Sequence, residues 1–407
     1  MTRPRVSIVI VSRKRPAALR RCLTGVGQLQ YSPFEVVVVA DAPGRDAVAT
    51  LPCSDSLKVV GFDAANISAA RNLGISHAAG EVIAFIDDDA VPEPTWLHHL
   101  MAPSDGDAAA FGGFVRGRNG ISFQWRANRV DRNGWSEPIE IKDNVPLVLR
   151  MTEGWVAKTE GTNMAFRRET LVALGGFDPA FRYFLDETDL NLRLGEAGLA
   201  TAIVPQAEVH HGFAANAVRR ADRAPDNLFE IGASWAVFQR KHLPMSERNA
   251  HWQEQRAVQR RRLLEHMIAG RLEPRDIRIK LAGLDAGYAE GQQREVGGGE
   301  VASTPLTEFQ PFEAAKRRSV WMTTRPLRMR RDLEQAIERV NEGEIVSLLS
   351  LSRSSLYHKV RFTEEGVWLQ SGGIFGRSKR DAPLVRLMGR RAREKREHDR
   401  VAVQRGL

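Results

Sequence analysis

The chain has two cysteines in 407 residues, Cys22 and Cys53, so neither a disulfide framework nor a cysteine-based structural zinc site can hold it together. It also lacks any run approaching the roughly 18 apolar residues that a membrane span needs. The apolar stretch Val6–Val11, behind Met1-Thr2-Arg3-Pro4-Arg5, is too short for a signal peptide. A soluble intracellular chain is the expectation. No Gly-x-Gly-x-x-Gly fingerprint opens a helix at Gly175-Gly176, which reads as a turn. Hydrophobic residues at 43% and charged residues at 27% are ordinary globular values, which excludes wholesale disorder and a coiled coil. The length suits two or three domains.

Charge is unevenly placed. Residues 1–213 carry 22 Lys/Arg against 25 Asp/Glu, a net of −3, whereas residues 214–407 carry 37 against 25, a net of +12. A slightly acidic half that binds phosphates needs a cation, while the basic half is either a set of solvated helix faces or a surface for anions.

The first half alternates. Val6–Val11, Glu35–Val39, Leu57–Val60 and Val82–Ile86 are β-branched runs of the kind buried on both faces of a sheet. Pro16 is placed to open a helix, Asn66 or Ser68 to cap another that Gly80 ends, and Asp41-Ala42-Pro43-Gly44 reads as a turn. Strands separated by helical segments predict crossover units and a mostly parallel sheet. Ligands of such sheets lie beyond the carboxyl ends of the strands. Ser12-Arg13, Asp41 and Asp87-Asp88-Asp89 all leave strand ends in this way.

Three adjacent carboxylates repel one another, and packing gives no reason to put them after a buried strand. A divalent cation does, because hard oxygen ligands suit Mg²⁺ or Mn²⁺. Asp87 and Asp89 are expected on one side of the extended chain, with Asp88 turned away. A solvated acidic turn ahead of the helix around Pro94–Leu100 is the bland alternative.

Further blocks follow in order: Ala70-Arg71-Asn72-Leu73-Gly74, Gly161-Thr162-Asn163, Gly175-Gly176-Phe177-Asp178, Asp186-Glu187-Thr188-Asp189-Leu190 with Arg193, and Pro205 to His210-His211. Together with Asp87-Asp88-Asp89 they resemble the family 2 glycosyltransferases, inverting enzymes of the GT-A fold, over about residues 5–213. The resemblance implies an α/β, Rossmann-like catalytic domain over 1–215. A helical extension is expected over 216–300, joined flexibly at Gly297-Gly298-Gly299. The basic region 301–407 is expected to be α/β or α+β, ending in a charged helix over Arg390–Arg405 that lacks a broad apolar face.

The resemblance also implies a reaction: a sugar moves from a nucleotide-diphosphate sugar (UDP-, GDP- or dTDP-linked) to an acceptor hydroxyl, with Mn²⁺ or Mg²⁺ on the departing diphosphate. It assigns Asp87, Asp89 and His211 to the metal, and Ser12, Arg13, Asp41, Arg71, Asp87, Asp88 and Asn163 to the donor. Glu187 takes the base position by register, with Asp186 as its substitute and Asp189 beside them. The usual family order is Glu-Asp; here the two residue types are exchanged. The acceptor is expected to be a saccharide or lipid-linked saccharide in polysaccharide or glycoconjugate synthesis, handled in the cytoplasm or peripherally at the inner membrane face. The segment Gly117–Val156, with Trp125, Trp135 and Trp155, has no clear period and is a candidate acceptor-side insertion.

Two other classes remain at this point. A sugar-1-phosphate nucleotidyltransferase shares the layout, but needs a glycine-rich loop where Ser12-Arg13-Lys14-Arg15-Pro16 stands. A basic nucleic-acid-binding or scaffold protein would use the +12 half, which lacks aromatic-basic interleaving and a reading helix. No nucleic-acid partner is expected.

Overall fold

The computed structural model describes residues 3–141, 145–212, 222, 224–313 and 317–407. Its first part alternates: β1 (Val6–Ser12), α1 (Pro16–Val26), β2 (Phe34–Ala40), α2 (Ala42–Ala49), β3 (Leu57–Gly61), α3 (Ile67–His77) and β4 (Val82–Phe85). The four strands are parallel and lie in the order β3-β2-β1-β4. Their apolar side chains fill the layers between sheet and helices on both faces, as the unbroken Val/Ile runs require. Asn66 caps α3 by accepting from the Ala69 amide at 3.0 Å. The helix stops at His77, short of Gly80, because the buried Glu35 carboxylate captures the Ala79 amide at 2.7 Å.

After β4 come β5 (Ala90–Pro92), α4 (Trp96–Leu100) and β6 (Ala108–Arg116). The aperiodic stretch holds short strands, β7 (Phe123–Trp125), β8 (Asn128–Val130), β9 (Ser136–Pro138), β10 (Leu147–Leu149) and β11 (Val156–Lys158). β7 extends β6, and β11-β8-β9 make a small separate sheet. Then follow β12 (Met164–Arg167), α5 (Arg168–Ala173), α6 (Asp186–Glu196) and β13 (Ala200–His211). They complete the main sheet as β4-β12-β6-β13-β10, with β12 antiparallel to both neighbours. β13 runs parallel to β6 through a bulge between Val204 and Glu208, and its far end pairs with β5. That bend carries His211 to the exit of β4.

The helical stretch is α7 (Phe229–His242), α8 (Met245–Ile268) and α9 (Pro274–Gly291). α7 and α9 cross so closely that a Cβ on Gly232 would lie 2.0 Å from the Leu284 carbonyl oxygen, and one on Gly287 1.9 Å from that of Phe229. Gly297-Gly298-Gly299 was expected to be a flexible join, and here the structure differs. Residues 297–312 form a strap laid along the main sheet: the Gly297 amide donates to Asp178 at 3.0 Å, the Gln310 amide to Glu35 at 2.8 Å, and Phe312 stacks on Phe34.

The last part has β14 (Ser319–Thr324), α10 (Met329–Asn341), β15 (Ile345–Ser352), β16 (Lys359–Phe362), β17 (Trp368–Gly373) and α11 (Arg390–Arg405). The sheet order is β14-β15-β17-β16, with only β16 antiparallel. α11 is highly charged, yet one face is buried: Arg393, Glu397, Val401 and Arg405 recur every four residues. Arg393 and Arg400 pair with Glu397, and Gln370 and Ser378 donate to the same carboxylate, so an ionic seam replaces the apolar stripe. No helix among the described residues is long and apolar enough to cross a membrane.

Candidate functional site

The chain leaves β4 directly into Asp87-Asp88-Asp89. Asp87 and Asp89 face His211 from β13, with Asp89 Oδ1 3.2 Å and Asp87 Oδ2 3.9 Å from its Nε2. Ligand atoms from the three residues all lie within 4.8 Å of one another. The other ring nitrogen of His211 is 3.2 Å from the Gln124 side-chain oxygen, and Trp125 stacks on the ring. A second partner of this kind orients the ring. Two carboxylates and one imidazole form a donor set that fits Mn²⁺ or Mg²⁺.

Asp88 turns the other way and does not join this group. It accepts from the Ser12 hydroxyl at 2.7 Å and pairs with Arg15 at 2.7 Å, fully buried. Burial pushes its carboxyl up to about 7 against the pull of Arg15. Donor contact by Asp88 is therefore corrected to a structural tie between β1 and β4. Arg15 also reaches Asp89 at 3.3 Å, so a fixed cation already offsets part of the acidic cluster.

Beyond the ends of β1 and β2 opens a cavity of about 510 Å³, a size that suits a small organic ligand. Ser12, Arg13, Lys14 and Arg15 line one wall, and Phe62, Ile67 and Tyr183 lie among the others. Lys14 sits at φ 58°, in the left-handed region, with its amide held by Asp41 at 2.8 Å. Asp41 is buried, caps α2 through the Gly44 amide and is not among the cavity's lining residues. It shapes the wall through Lys14.

On the other side, α6 begins after Leu185, which adopts φ 67°. That strained residue aims Asp186 inward and leaves Glu187 half-buried. Asp186 forms a close ion pair with Arg71, and the same guanidinium lies 3.7 Å from Asp87. Burial pushes the Asp186 carboxyl upward, Arg71 opposes it, and the Glu187 charge adds to the rise. Arg71 fits here because residue 161 is glycine: a Cβ would stand 2.7 Å from its Nη2. Arg71 thus ties the two acidic groups together.

Two further expected site residues are turned elsewhere. Asn163 is fully buried; its amide donates to the Phe114 and Ala207 carbonyls and accepts from Trp96 Nε1. It clamps the start of β12 to β6 and β13, so the structure shows it in a structural tie. Asp189 is also fully buried and engages Arg193 at 2.8 Å, Lys241 at 2.7 Å and His242 at 2.9 Å. Burial opposes ionisation there, but these three partners hold it far below the usual carboxylate range. Asp189 docks α7 onto α6, its carboxylate taken up by these three partners.

Sequence reasoning missed Lys158 and Glu160. They pair at 3.2 Å at the end of β11, and both feel the charge of Glu187. Burial raises Glu160 to about 7 against Lys158, with Glu187 raising it further. The available signal was their position just ahead of Gly161-Thr162-Asn163.

Residues 7–175 match the model for glycosyl transferase family 2. The match covers less than half of the chain and marks a likeness of this segment to that family. The chain is 28% identical over 197 residues to a glucosyl-dolichyl phosphate glucuronosyltransferase of Haloferax volcanii, covering 43% of this chain and 56% of that one. It is 29% identical over 196 residues to a hyaluronan synthase of Pasteurella multocida, covering 44% and 19% respectively. The chain thus spans about half or less of these curated relatives. Among solved structures, S. aureus TarS 1–349 in complex with UDP-GlcNAc is similar, with 14% identity, a TM-score of 0.44, and coverage of 61% of this chain and 71% of that one.

Proposed function

We propose that this chain is a metal-dependent inverting glycosyltransferase that moves a sugar from a nucleotide-diphosphate sugar to an acceptor hydroxyl. The observation that carries the reading is the convergence of Asp87, Asp89 and His211 at the exit of β4. Arg71 ties this group to the acids that open α6. The cavity beyond β1 takes the nucleoside, and Arg13, Lys14 and Arg15 put positive charge at its mouth. Asp87, Asp89 and His211 hold the divalent ion, which when bound supplies Lewis-acid stabilisation of the leaving diphosphate. Arg15, fixed by Asp88 and Asp89, adds charge at the same end without reorganising.

Glu187 is the general base. It is half-buried and stands at the start of α6, whereas Asp186 is taken up by Arg71. Proton removal from the acceptor by a positioned carboxylate contributes about 10²–10⁴-fold. The buried Lys158–Glu160 pair lies within electrostatic reach of Glu187 at the end of β11. The acceptor is a saccharide or lipid-linked saccharide of polysaccharide or glycoconjugate synthesis, met in the cytoplasm or at the inner membrane face. A nucleic-acid role for the basic half is less well supported, because Arg294, Arg393, Arg400 and Arg405 are engaged in internal ion pairs.

Calorimetric titration of UDP, GDP and dTDP, with and without Mn²⁺, tests the metal assignment. Binding should require the ion in the parent and be lost in Asp89→Ala. Equal metal-dependent binding by Asp89→Ala would overturn it.

A further inference from the structure

We infer that the C-terminal sheet carries a second ligand site, one for a small phosphate-bearing molecule. β14, α10 and β15 form a parallel crossover unit, and β17 continues it in parallel. The carboxyl ends of such strands are where ligands bind in open α/β sheets. A cavity of about 440 Å³ opens at the end of β15, beside the first turn of α10, on the sheet face that α10 covers.

Strand register explains its chemistry. Thr324, Ser350, Ser371 and Lys359 are successive register partners across β14, β15, β17 and β16. One row deeper the partners are Met322, Leu348, Leu369 and Arg361. The face therefore changes from apolar, under α10, to hydroxyls and cations toward the strand ends. Ser350, Ser371, Lys359 and Arg361 line the cavity.

Two features of this face bear on a ligand. Ser350, 6% exposed, lines the cavity. Lys359 and Arg361 project from the same face of an edge strand, two residues apart, and neither makes an ion pair among the described residues. Like charges so placed repel each other. The nearby carboxylate, Asp332 in the first turn of α10, is already bonded to the Thr324 hydroxyl and does not neutralise them. A phosphate group answers both: it accepts from the hydroxyls and from the two cations, at a rim where the N-terminus of α10 also favours negative charge. Pro326, Met329 and Leu356 supply an apolar wall for the rest of the molecule.

The site uses none of the residues placed in the catalytic cleft, so it stands or falls independently of the proposed transferase activity. The test is calorimetry on the full chain in EDTA, with pyrophosphate and UDP as probes, against the parent, Asp89→Ala and the double variant Lys359→Gln/Arg361→Gln. Both substituted cations are exposed, so the double variant should melt as the parent does. Binding of either probe should persist in Asp89→Ala and weaken by about tenfold or more in the double variant, as expected for losing two charge-assisted contacts. Ser350→Ala, which removes only the hydroxyl, should weaken it by a smaller factor of about three. Flotation with vesicles containing phosphatidic acid forms the second arm. Vesicle binding lost in the double variant, with no binding of soluble probes, assigns the phosphate to a lipid headgroup. Probe and vesicle binding that the double variant leaves unchanged, or absence of both in the parent, would overturn the inference.

Discussion

Arg405, in the last turn of α11, is 1% exposed and directs its Nε to Glu93 Oε2 at 3.2 Å. Its Nη1 donates to Ser347 at 3.1 Å, and the guanidinium lies 4.6 Å above the Trp368 ring. The other oxygen of Glu93 is 2.7 Å from His210 Nε2, on the strand that carries His211. Burial alone would raise the Glu93 carboxyl, yet Arg405 and His210 outweigh it and hold it at about 2 against an ordinary 4.5. At about 1.4 kcal/mol per pH unit, that displacement corresponds to about 3 kcal/mol. Stripping one partner from a buried ion pair costs a similar 3–5 kcal/mol or so.

Arg405→Met should therefore lower the melting temperature by about 6–10 °C at pH 7, taking about 2 °C per kcal/mol. The sign with pH follows from the depressed folded value. The Glu93 contribution is complete above its unfolded value of 4.5 and is lost as pH falls toward 2. The gap between parent and variant should thus narrow steadily below pH 4.5. Scanning calorimetry from pH 3 to 7 reads both effects. The double variant Arg405→Met/Glu93→Gln should regain much of the loss, because no buried charge is left alone. A single variant melting within about 1 °C of the parent at pH 7 would refute the reasoning, since the mechanism demands several kcal/mol.

The remaining expectations concern α6. Glu187→Gln should leave nucleotide-sugar binding near the parent value while kcat drops by about 10²–10⁴-fold in a transfer assay. If Asp186→Asn alone produced that pattern, the base would be Asp186 and not Glu187. Asp189→Asn should act on stability: denaturant melts should show a loss of about 2–4 kcal/mol, since Lys241, His242 and Arg193 would face a neutral partner. A change in kcat without a change in melting would place Asp189 back in the chemistry.

Much of the catalytic sheet was legible because its strands are β-branched runs and its helices start at recognisable caps, Pro16 and Asn66. Local signals of this type need no knowledge of partners. Asp87, Asp89 and His211 came from ordered motifs, and the bend in β13 brings them together. What escaped depends on pairing across long separations. Glu35 opens a valine run with no local sign of its role, and it binds Ser7, Lys58 and two backbone amides inside the fold. Asn163 was assigned to the donor by the resemblance alone, and only the three-dimensional approach of β6 and β13 makes it a clamp. α11 defeated a hydrophobicity argument outright, since Arg393, Glu397 and Arg405 are buried by mutual neutralisation that no apolar stripe reveals. The glycine triplet signalled looseness, yet small residues also let a segment lie close against a sheet.

The partnership of Glu93 with a guanidinium 312 residues downstream sets an order of events at the ribosome. At roughly 5–20 residues per second, synthesis leaves about 15–60 s between the emergence of the acid and of its counter-charge. During that interval Glu93, and His210 once it is made, lack the guanidinium that pairs with the acid. The residue just past the acidic cluster thus waits for a helix made 312 residues later.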